Sequence, residues 1–295
     1  MRHMKLGGLE AGGTKMVCLI GDETGNIAER AAFSTLTPAE TMPAIIDFFR
    51  PRAIEALGIG SFGPLELNRQ DPSWGHITTT PKLAWRNFDL AGALSKALGV
   101  PVGLDTDVNA AAMAEARLGA ARGQESCVYF TVGTGIGGGV YLGGKPLHGL
   151  VHPEFGHIPL RSHPDDPTPD GFCPYHTGCL EGLANGPAIE KRWGKPGHML
   201  PPDHPAWLLE AYYLAQACMA AILVLSPHRI VMGGGVMHQA QLFPMIHTAA
   251  LHLLGGYVQH EHILQRMPDF IVPPGLGDDA GGVGALLLGL EAAQK

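Results

Sequence analysis

A glycine-rich turn near the start of the chain has the composition of a phosphate-binding loop. It lies between two apolar, strand-like segments and contains Glu10, Gly12, Gly13, Thr14 and Lys15. A tight glycine turn can point successive backbone N–H groups at one anion, and glycine lets that anion approach the backbone closely. The threonine adds a hydroxyl and the lysine a positive charge, while the glutamate could hold hydrated Mg²⁺. A plain hairpin turn with charged flanks is the alternative interpretation.

A second turn of the same kind lies about 120 residues further on and again joins two strand-like segments. It contains Gly133, Thr134, Gly135 and Gly137. One such turn is weak evidence, whereas two turns indicate a nucleotide held between two halves of a protein.

A third glycine run consists of Gly233, Gly234 and Gly235. It is predicted to close a strand and open a helix, whose N-terminus could receive an adenosine or phosphate group. Close packing between strand and helix, with no room for a Cβ atom, explains the same run equally well.

Asp107 follows a short predicted strand and begins a predicted helix. A carboxylate at such a junction could accept the proton of a substrate hydroxyl, and phosphoryl transfer needs little more than this base, positioning and charge neutralisation. Aspartate is also a favoured helix N-cap, so a structural role is the stronger interpretation from spacing alone. Asp105, two residues earlier, competes for the role of base.

A cluster of cysteine and histidine residues gives the sharpest local signal, which is a metal site. Cys173, His176 and Cys179 follow one another at three-residue intervals, and His157 lies upstream. Four nitrogen and sulfur ligands suit a tetrahedral, structural Zn²⁺ with no position left for an activated water. His152 and His163 are alternatives to His157 as the fourth ligand, since the chain contains 15 histidines.

The composition excludes several classes of protein. An apolar fraction of 45% with 16% charged residues argues against disorder, and a net charge of −7 without a basic block argues against nucleic acid as a partner. The sequence shows no apolar run that we expect to span a membrane, and its start shows no signal-peptide core, so a cytoplasmic location is expected. Five cysteines, two of them beside histidines, favour metal binding over disulfides.

Hydrophobic patterning predicts a duplicated α/β fold with two lobes and a central cleft. We expect a small lobe from residues 1–115 and 278–295 and a large lobe from residues 116–277. The predicted strands are a meander over 5–34, then 53–59, 102–104, 127–132, 139–142 and 229–232. The predicted helices cover 38–49, 88–98, 109–121, 180–193, 206–225, a segment from about 238, and 279–293.

Together these residues resemble the ROK family of bacterial sugar kinases, which share the actin-like, hexokinase-like ATPase fold. The resemblance covers essentially the whole chain and is strongest for the zinc-containing fructokinase branch, which residues 60–64, 80–85 and 173–176 resemble. It rests on the two glycine turns, residues 107–111, the run from Glu154 to His157, the zinc loop ending in Glu181, and the glycine triplet. The resemblance implies that Asp107 is the catalytic base.

The resemblance also implies ATP-dependent phosphorylation of a hexose, with D-fructose as the expected substrate, and a homodimer. It places a sugar pocket around Gly63, Pro64, Thr106, Asn109, Glu154 and Glu181. Glucokinase-like members usually carry Asn where this chain has Thr106, which weakens a glucose interpretation. The role of Glu66, where relatives often have Asp, stays open. Mannose, glucose or an N-acetylated hexosamine are the alternative substrates, and a non-catalytic, sugar-responsive nucleotide-binding protein is a further alternative.

Overall fold

The computed structural model describes residues 3–295 and contains two five-stranded sheets of similar topology. The strands of the first half are β1 (Leu6–Ala11), β2 (Lys15–Gly21), β3 (Ile27–Ser34), β4 (Ala56–Ser61), β5 (His76–Ile77), β6 (Phe88–Asp89) and β7 (Val102–Thr106). Its helices are α1 (Pro38–Phe49), α2 (Leu90–Leu98) and α3 (Asp107–Arg117).

The second half contains the other sheet and most of the remaining helices. Its strands are β8 (Ser126–Val132), β9 (Ile136–Leu142), β10 (Lys145–Pro146), β11 (Arg229–Gly233) and β12 (Ile271–Val272). The helices are α4 (Leu180–Ala184), α5 (Gly186–Trp193), α6 (Ala206–Leu225), α7 (Leu242–Leu254), α8 (Glu261–Leu264), α9 (Met267–Phe270) and α10 (Ala280–Ala293).

The two sheets repeat one arrangement. The first has the order β3-β2-β1-β4-β7 and the second the order β10-β9-β8-β11-β12. In each, an antiparallel pair joined by a glycine turn, β1 with β2 and β8 with β9, is followed by two parallel strands. The predicted duplication of strand, glycine turn and strand is therefore confirmed.

Helix α10, at the end of the chain, returns to the first sheet and packs across β1 and β4. The contact is made through backbone, because a Cβ atom added at Gly58 of β4 would lie 1.8 Å from the carbonyl oxygen of Ala285 and 2.3 Å from the nitrogen of Gly289. Helix α10 also packs along α3. Helix α10 therefore packs between the first sheet and α3.

Several predicted boundaries need correction. Helix α2 begins at Leu90 rather than residue 88, because the Asp89 carboxylate caps it by accepting from the N–H of Gly92. Helix α3 begins at Asp107 and ends at Arg117, whereas the sequence pattern predicted 109–121. After the glycine triplet a 3₁₀ turn, Gly235–His238, precedes α7, so the predicted α-helix at about residue 238 begins four residues later, at Leu242.

The expectation that no apolar segment reaches bilayer length is also wrong. Helix α6 has 20 residues and is apolar enough to span a membrane by length and composition alone. Its side chains instead fill the core beneath the second sheet, where Trp207, Tyr213 and Cys218 are at most 1% exposed. A buried core helix explains the same apolar pattern.

The contact between α10 and β4 predicts a large loss of stability from one added methyl group. Gly58→Ala should lower the free energy of unfolding by about 1–3 kcal/mol or more, because the methyl group meets backbone that cannot move aside. Gly149→Ala is the matched control, since its Cβ would lie no closer than 3.7 Å to other atoms. Thermal unfolding of both variants checks this, and equal midpoints would contradict it.

Candidate active site

The carboxyl ends of three parallel strands bring the first half of the site together. Ala11 of β1 pairs with Ser61 of β4, and Ser61 pairs with Thr106 of β7, so the three strands end in register. The first glycine turn, the Gly63–Pro64 loop and Asp107 each follow one of these ends. Sequence-distant residues therefore meet at one edge of the sheet.

Asp107 is the first helical residue of α3 and does not cap the helix. The N-cap is Thr106, whose hydroxyl oxygen accepts from the N–H of Asn109 at 3.1 Å. The structural alternative raised for Asp107 is thus wrong, and its carboxylate accepts the local N–H of Val108, at 2.9 Å. Burial raises the pKa of Asp107 to about 7, with further repulsion from Glu10 and Glu154. Such a carboxylate can exchange a proton near neutral pH.

Asp105, the competing candidate for the base, is fully occupied by structural hydrogen bonds. Its carboxylate accepts from the backbone N–H of Thr106 and the side-chain amide of Asn109, each at 2.8 Å, and pairs with His148 Nε2 at 2.8 Å. It is 3% exposed. These contacts leave Asp107 as the carboxylate that is available to a substrate.

Asn109, which is predicted as a sugar ligand, is held by protein contacts. Its side chain is 1% exposed, donates to Asp105, and accepts from the N–H of Val140 in the second sheet at 3.3 Å. A buried amide whose oxygen and nitrogen both have protein partners positions the start of α3. Thr106 is also buried, with its hydroxyl oxygen used by the cap.

The first glycine turn is closed by its own backbone. The N–H of Gly12 donates to the carbonyl of Lys15 at 3.0 Å, and the Thr35 hydroxyl donates to the carbonyl of Gly12. The side chains of Thr14 and Lys15 are exposed. A Cβ atom on Gly13 would lie 3.3 Å from Cε of Lys82, so a second lysine lies over the turn.

Glu10 adds its carboxylate to those of Asp105 and Asp107 and lies beside the first glycine turn. It precedes the turn in β1, and burial raises its pKa against the opposing effect of Lys15 and Arg30. Its carboxylate lies against the first turn of α10, because a Cβ atom on Gly281 would be 2.9 Å from Glu10 Oε1. A buried, incompletely neutralised carboxylate facing Asp107 fits a cation ligand.

The second glycine turn borders a cavity of about 440 Å³. Gly133, Thr134 and Gly235 line it together with Glu190 and Gln239. The turn is held by the side-chain amide of Asn185, which donates to the carbonyl of Thr134 at 3.1 Å. The cavity is of a size that holds a small organic ligand.

Two glycines predicted to bind nucleotide lie inside strands. Gly137 lies inside β9, where a Cβ atom would be 2.8 Å from the side chain of Val108 in α3. Gly233 lies inside β11, where a Cβ atom would be 2.5 Å from the hydroxyl of Tyr129. Both positions need glycine for packing. Gly234 has a φ of 91° and faces the backbone of Val132, so it shapes the turn that presents Gly235.

Glu154 and Glu181 lie near each other on the second half of the site. Burial raises the pKa of Glu154, and the neighbouring Glu181 adds to this increase. Glu181 accepts from the N–H of Ile136 at 2.9 Å, and a Cβ atom on Gly135 would lie 2.7 Å from its Oε2. Glu181 therefore links the segment that contains Cys173, His176 and Cys179 directly to the second glycine turn.

His152, which sequence reasoning considered only as a metal ligand, instead joins the two halves. The N–H of Leu65 donates to its Nε2 at 3.1 Å, and its Nδ1 faces Glu154 Oε1 at 3.5 Å. A Cβ atom on Gly63 would lie 3.2 Å from this ring, so the Gly63–Pro64 loop lies directly beside it. The carboxylate of Glu66 accepts from the N–H of Asn68 and so orders this loop.

The four predicted metal ligands converge. The ligand atoms of His157, Cys173, His176 and Cys179 all lie within 4.8 Å of one another. Cys173 Sγ lies 3.9 Å from His157 Nδ1 and 3.6 Å from His176 Nδ1, while Cys179 Sγ lies 3.8 Å from His157 Nδ1. Tetrahedral Zn²⁺ with ordinary bond lengths separates such atoms by roughly 3.6 Å. His157 is therefore the fourth member of this cluster.

Some residues at the site were not predicted as site residues. Lys82 lies over the first glycine turn, and Asn185 holds the second. Lys82 belongs to a segment that supported the family resemblance, so a signal existed for it. Asn185 is the N-cap of α5 and accepts there from the N–H of Ala188. No sequence pattern distinguishes this asparagine from an ordinary helix cap.

The fold and the paired glycine turns define the hexokinase-like class of actin-like ATPases. The sequence pattern of the ROK family matches residues 6–292. The chain belongs to the ROK family. It is 45% identical to a fructokinase from Pediococcus pentosaceus, over 99% of both chains, and 44% identical to a fructokinase from Zymomonas mobilis, over 98% of this chain and 97% of that one.

A solved structure extends the comparison to ligands. A ROK family glucokinase from Streptomyces griseus in complex with glucose and AMPPNP superimposes with a TM-score of 0.78. The two are 25% identical, and the match covers 97% of this chain and 99% of that chain. The predicted fold class and family are therefore confirmed.

The cysteine–histidine cluster predicts a dependence of bound metal on one thiol. Cys179→Ser should lower bound zinc from about one ion per chain and lower the melting temperature, because the cluster loses a ligand and the loop its anchor. Cys18→Ala removes a buried thiol elsewhere in the fold and should leave the metal content unchanged. Elemental analysis of the purified proteins checks this, and full zinc content in Cys179→Ser would exclude the site.

Proposed function

We propose that this chain transfers the γ-phosphoryl group of ATP to the 6-hydroxyl of D-fructose. The reaction type rests on one observation above all: a carboxylate with a pKa of about 7, Asp107, lies where the carboxyl ends of the parallel strands meet. The choice of substrate rests on the fructokinases that match nearly the full chain at 44–45% identity.

Asp107 acts as the general base in this proposal. Its carboxylate accepts the proton of the sugar hydroxyl as the hydroxyl oxygen bonds to the γ-phosphorus and ADP leaves. Asp105, the competing aspartate, is held by His148, Asn109 and the backbone. The proton therefore ends on Asp107.

The two glycine turns bind the nucleotide in this proposal. The first, residues 12–15, meets the phosphates with backbone N–H groups and the Thr14 hydroxyl, and Lys15 and Lys82 add positive charge. The second, with Gly133, Thr134 and Gly135, meets them from the other half. The adenosine then lies in the cavity lined by Gly235, Glu190 and Gln239.

Mg²⁺ and Zn²⁺ have separate places in the proposal. Glu10 would hold Mg²⁺ through water, and the ion, when bound, offsets charge on the phosphates. The residues fit, because Glu10 is a buried carboxylate whose raised pKa reflects insufficient positive charge around it. Zn²⁺ would be bound by His157, Cys173, His176 and Cys179 and would hold the irregular segment that carries Glu154.

The sugar pocket is proposed around Glu154, Glu181 and the Gly63–Pro64 loop. Carboxylates aimed at individual hydroxyls reject sugars that lack them, since a buried polar group would then stay unpaired. Thr106 stands where glucokinase-like members usually have Asn, so one amide hydrogen bond to the sugar is absent. This difference supports fructose over glucose.

The remaining parts of the proposal concern lobes and assembly. We infer that residues 1–115 and 278–295 move as a small lobe against residues 116–277, since α10 packs on β1 and β4. Closure would exclude water, the competing phosphoryl acceptor.

The family resemblance supports a homodimer. A requirement for cellular ATP supports a cytoplasmic location, and the net charge of −7 argues against nucleic acid.

The direct test is turnover over a sugar panel. We expect kcat/KM to be at least about tenfold higher for fructose than for mannose, glucose or N-acetylmannosamine, because a pocket built to pair each hydroxyl discriminates strongly. ADP release coupled to a dehydrogenase measures this. A higher kcat/KM for glucose or mannose would support the proposed kinase activity but contradict fructose as the substrate. No turnover with any sugar would reject the kinase.

Loss of the base predicts a large fall in turnover. Asp107→Asn should lower kcat by about two to four orders of magnitude, which is the usual contribution of a general base, while sugar affinity is largely kept. Asp203→Asn changes an exposed aspartate before α6 and is the matched control. Steady-state kinetics and sugar binding measure both effects. Near-normal turnover in Asp107→Asn would assign the base elsewhere.

The raised pKa of Asp107 predicts the acid limb of the pH profile. The base works only when ionised, so kcat/KM should be nearly constant above about pH 8 and fall as pH drops through 7, approaching tenfold per pH unit. The residual activity of Asp107→Asn should lack this limb. Rates at constant ionic strength check the prediction, and a wild-type profile that stays flat down to pH 5 would contradict it.

A further inference from the structure

A second cavity lies at the β7 edge of the first sheet, away from both glycine turns. It has a volume of about 280 Å³ and is bounded by β7, the loop over residues 67–74, the segment around β10, and the end of α10. Its apolar surface comes from Leu67, Leu104, Pro146 and Leu288. None of the residues that line it belongs to the proposed nucleotide or sugar sites.

The polar wall of this cavity is basic although the protein as a whole is acidic. Arg69, Lys145, His148 and Lys295 line it. The two carboxylates in the wall already have basic partners, since Asp105 pairs with His148 and Glu291 pairs with Arg117. Within residues 3–295, no side-chain carboxylate pairs with Arg69, Lys145 or Lys295. The cavity therefore carries three positive charges that are not offset by side chains.

The arginine in the wall is held in position by an aromatic ring. The guanidinium of Arg69 lies 4.6 Å from the centre of the Trp74 ring. A guanidinium held by stacking keeps its N–H groups in a fixed plane, which suits bidentate contact with a phosphate. Lys145 comes from a different segment, so an anion between the two is contacted from two sides.

We propose that this cavity binds a small phosphate monoester, with the phosphate between Arg69 and Lys145 and the carbon part against the apolar surface. A dianionic phosphate offsets more of this unpaired positive charge than a single carboxylate would. The volume lies just below the usual range for small-molecule sites, which fits a small metabolite of about hexose phosphate size.

The cavity is connected to the catalytic residue by a short chain of hydrogen bonds. His148 in its wall bonds Asp105 at 2.8 Å, and Asp105 in turn accepts from Asn109 and from the N–H of Thr106. Asp107 is the next residue. A phosphate beside His148 competes with Asp105 for the imidazole ring, so occupancy changes the contacts that fix the start of α3. Binding in the cavity is thereby coupled to turnover.

The binding test uses inorganic phosphate and glucose 6-phosphate, which is not the product of the proposed reaction. Each is titrated into the intact protein while tryptophan fluorescence is recorded, with Trp74→Phe to identify the signal from the cavity. We expect a saturable change that is lost in Trp74→Phe. The double variant R69E/K145E should raise Kd at least about tenfold, because two charge-assisted contacts are replaced by repulsion.

Lys96→Glu, which changes the charge of an exposed lysine in α2, is the matched control and should bind like the unchanged protein. An equal Kd in R69E/K145E, or a fluorescence change that persists in Trp74→Phe, would overturn the site. Retained basal turnover in R69E/K145E shows that this variant is folded. Should it lose turnover, the single variant Lys145→Gln is titrated in its place, and an unchanged Kd there counts against the proposal equally.

Coupling is tested separately from binding. At a saturating concentration, glucose 6-phosphate should change kcat/KM for the sugar by about twofold or more in the unchanged protein and not in R69E/K145E. Binding without any change in kcat/KM would retain the site and reject the coupling. Because binding is read from fluorescence with a ligand other than the product, failure of the binding test leaves the proposed fructose kinase activity unaffected, and failure of that activity leaves the binding test intact.

Discussion

The first turn of α3 is held between two backbone surfaces, and the whole site depends on this contact. A Cβ atom on Gly139 of β9 would lie 2.0 Å from the carbonyl oxygen of Val108, and one on Gly284 of α10 would lie 2.1 Å from that of Ala110. Only glycine permits such close approach. The helix that carries Asp107 is therefore fixed against the second sheet on one side and against α10 on the other.

The fixed position of α3 creates an excess of negative charge in the site. Glu10, Asp107 and Glu154 come from three separate segments, and burial raises the pKa of each. Mutual repulsion adds to this effect, since Glu10 and Glu154 both raise the pKa of Asp107. A group of carboxylates arranged in this way is stabilised by nearby cations.

The cysteine–histidine cluster is joined through α4 to the carboxylate of Glu181. Cys179 is both a predicted metal ligand and the N-cap of α4, because its Sγ accepts from the N–H of Gly182 at 3.4 Å. Two residues later Glu181 reaches the N–H of Ile136 at the second glycine turn. An irregular segment of this length gains a fixed conformation from a metal site more readily than from its few apolar side chains.

The sequence by itself determined which residue types the site contains, because glycine turns, a Cys/His set and alternating apolar segments are local patterns. It predicted α1 at Pro38–Phe49 and the four-residue metal cluster correctly. It could not assign the individual glycines, since Gly137 and Gly233 are explained by the side chains of Val108 and Tyr129, which come from other elements.

The tertiary structure alone decided which neighbours Asp105 and Asp107 receive. Both are aspartates near the end of one strand, and they differ only in what the fold places against them: His148 and Asn109 occupy Asp105, whereas two distant glutamates face Asp107. The surroundings of Asn109 were likewise decided by the fold. A family motif predicted this residue near the sugar, and packing buries its side chain. Burial and charge at a side chain are set by residues far away in the chain, so no local pattern contains them.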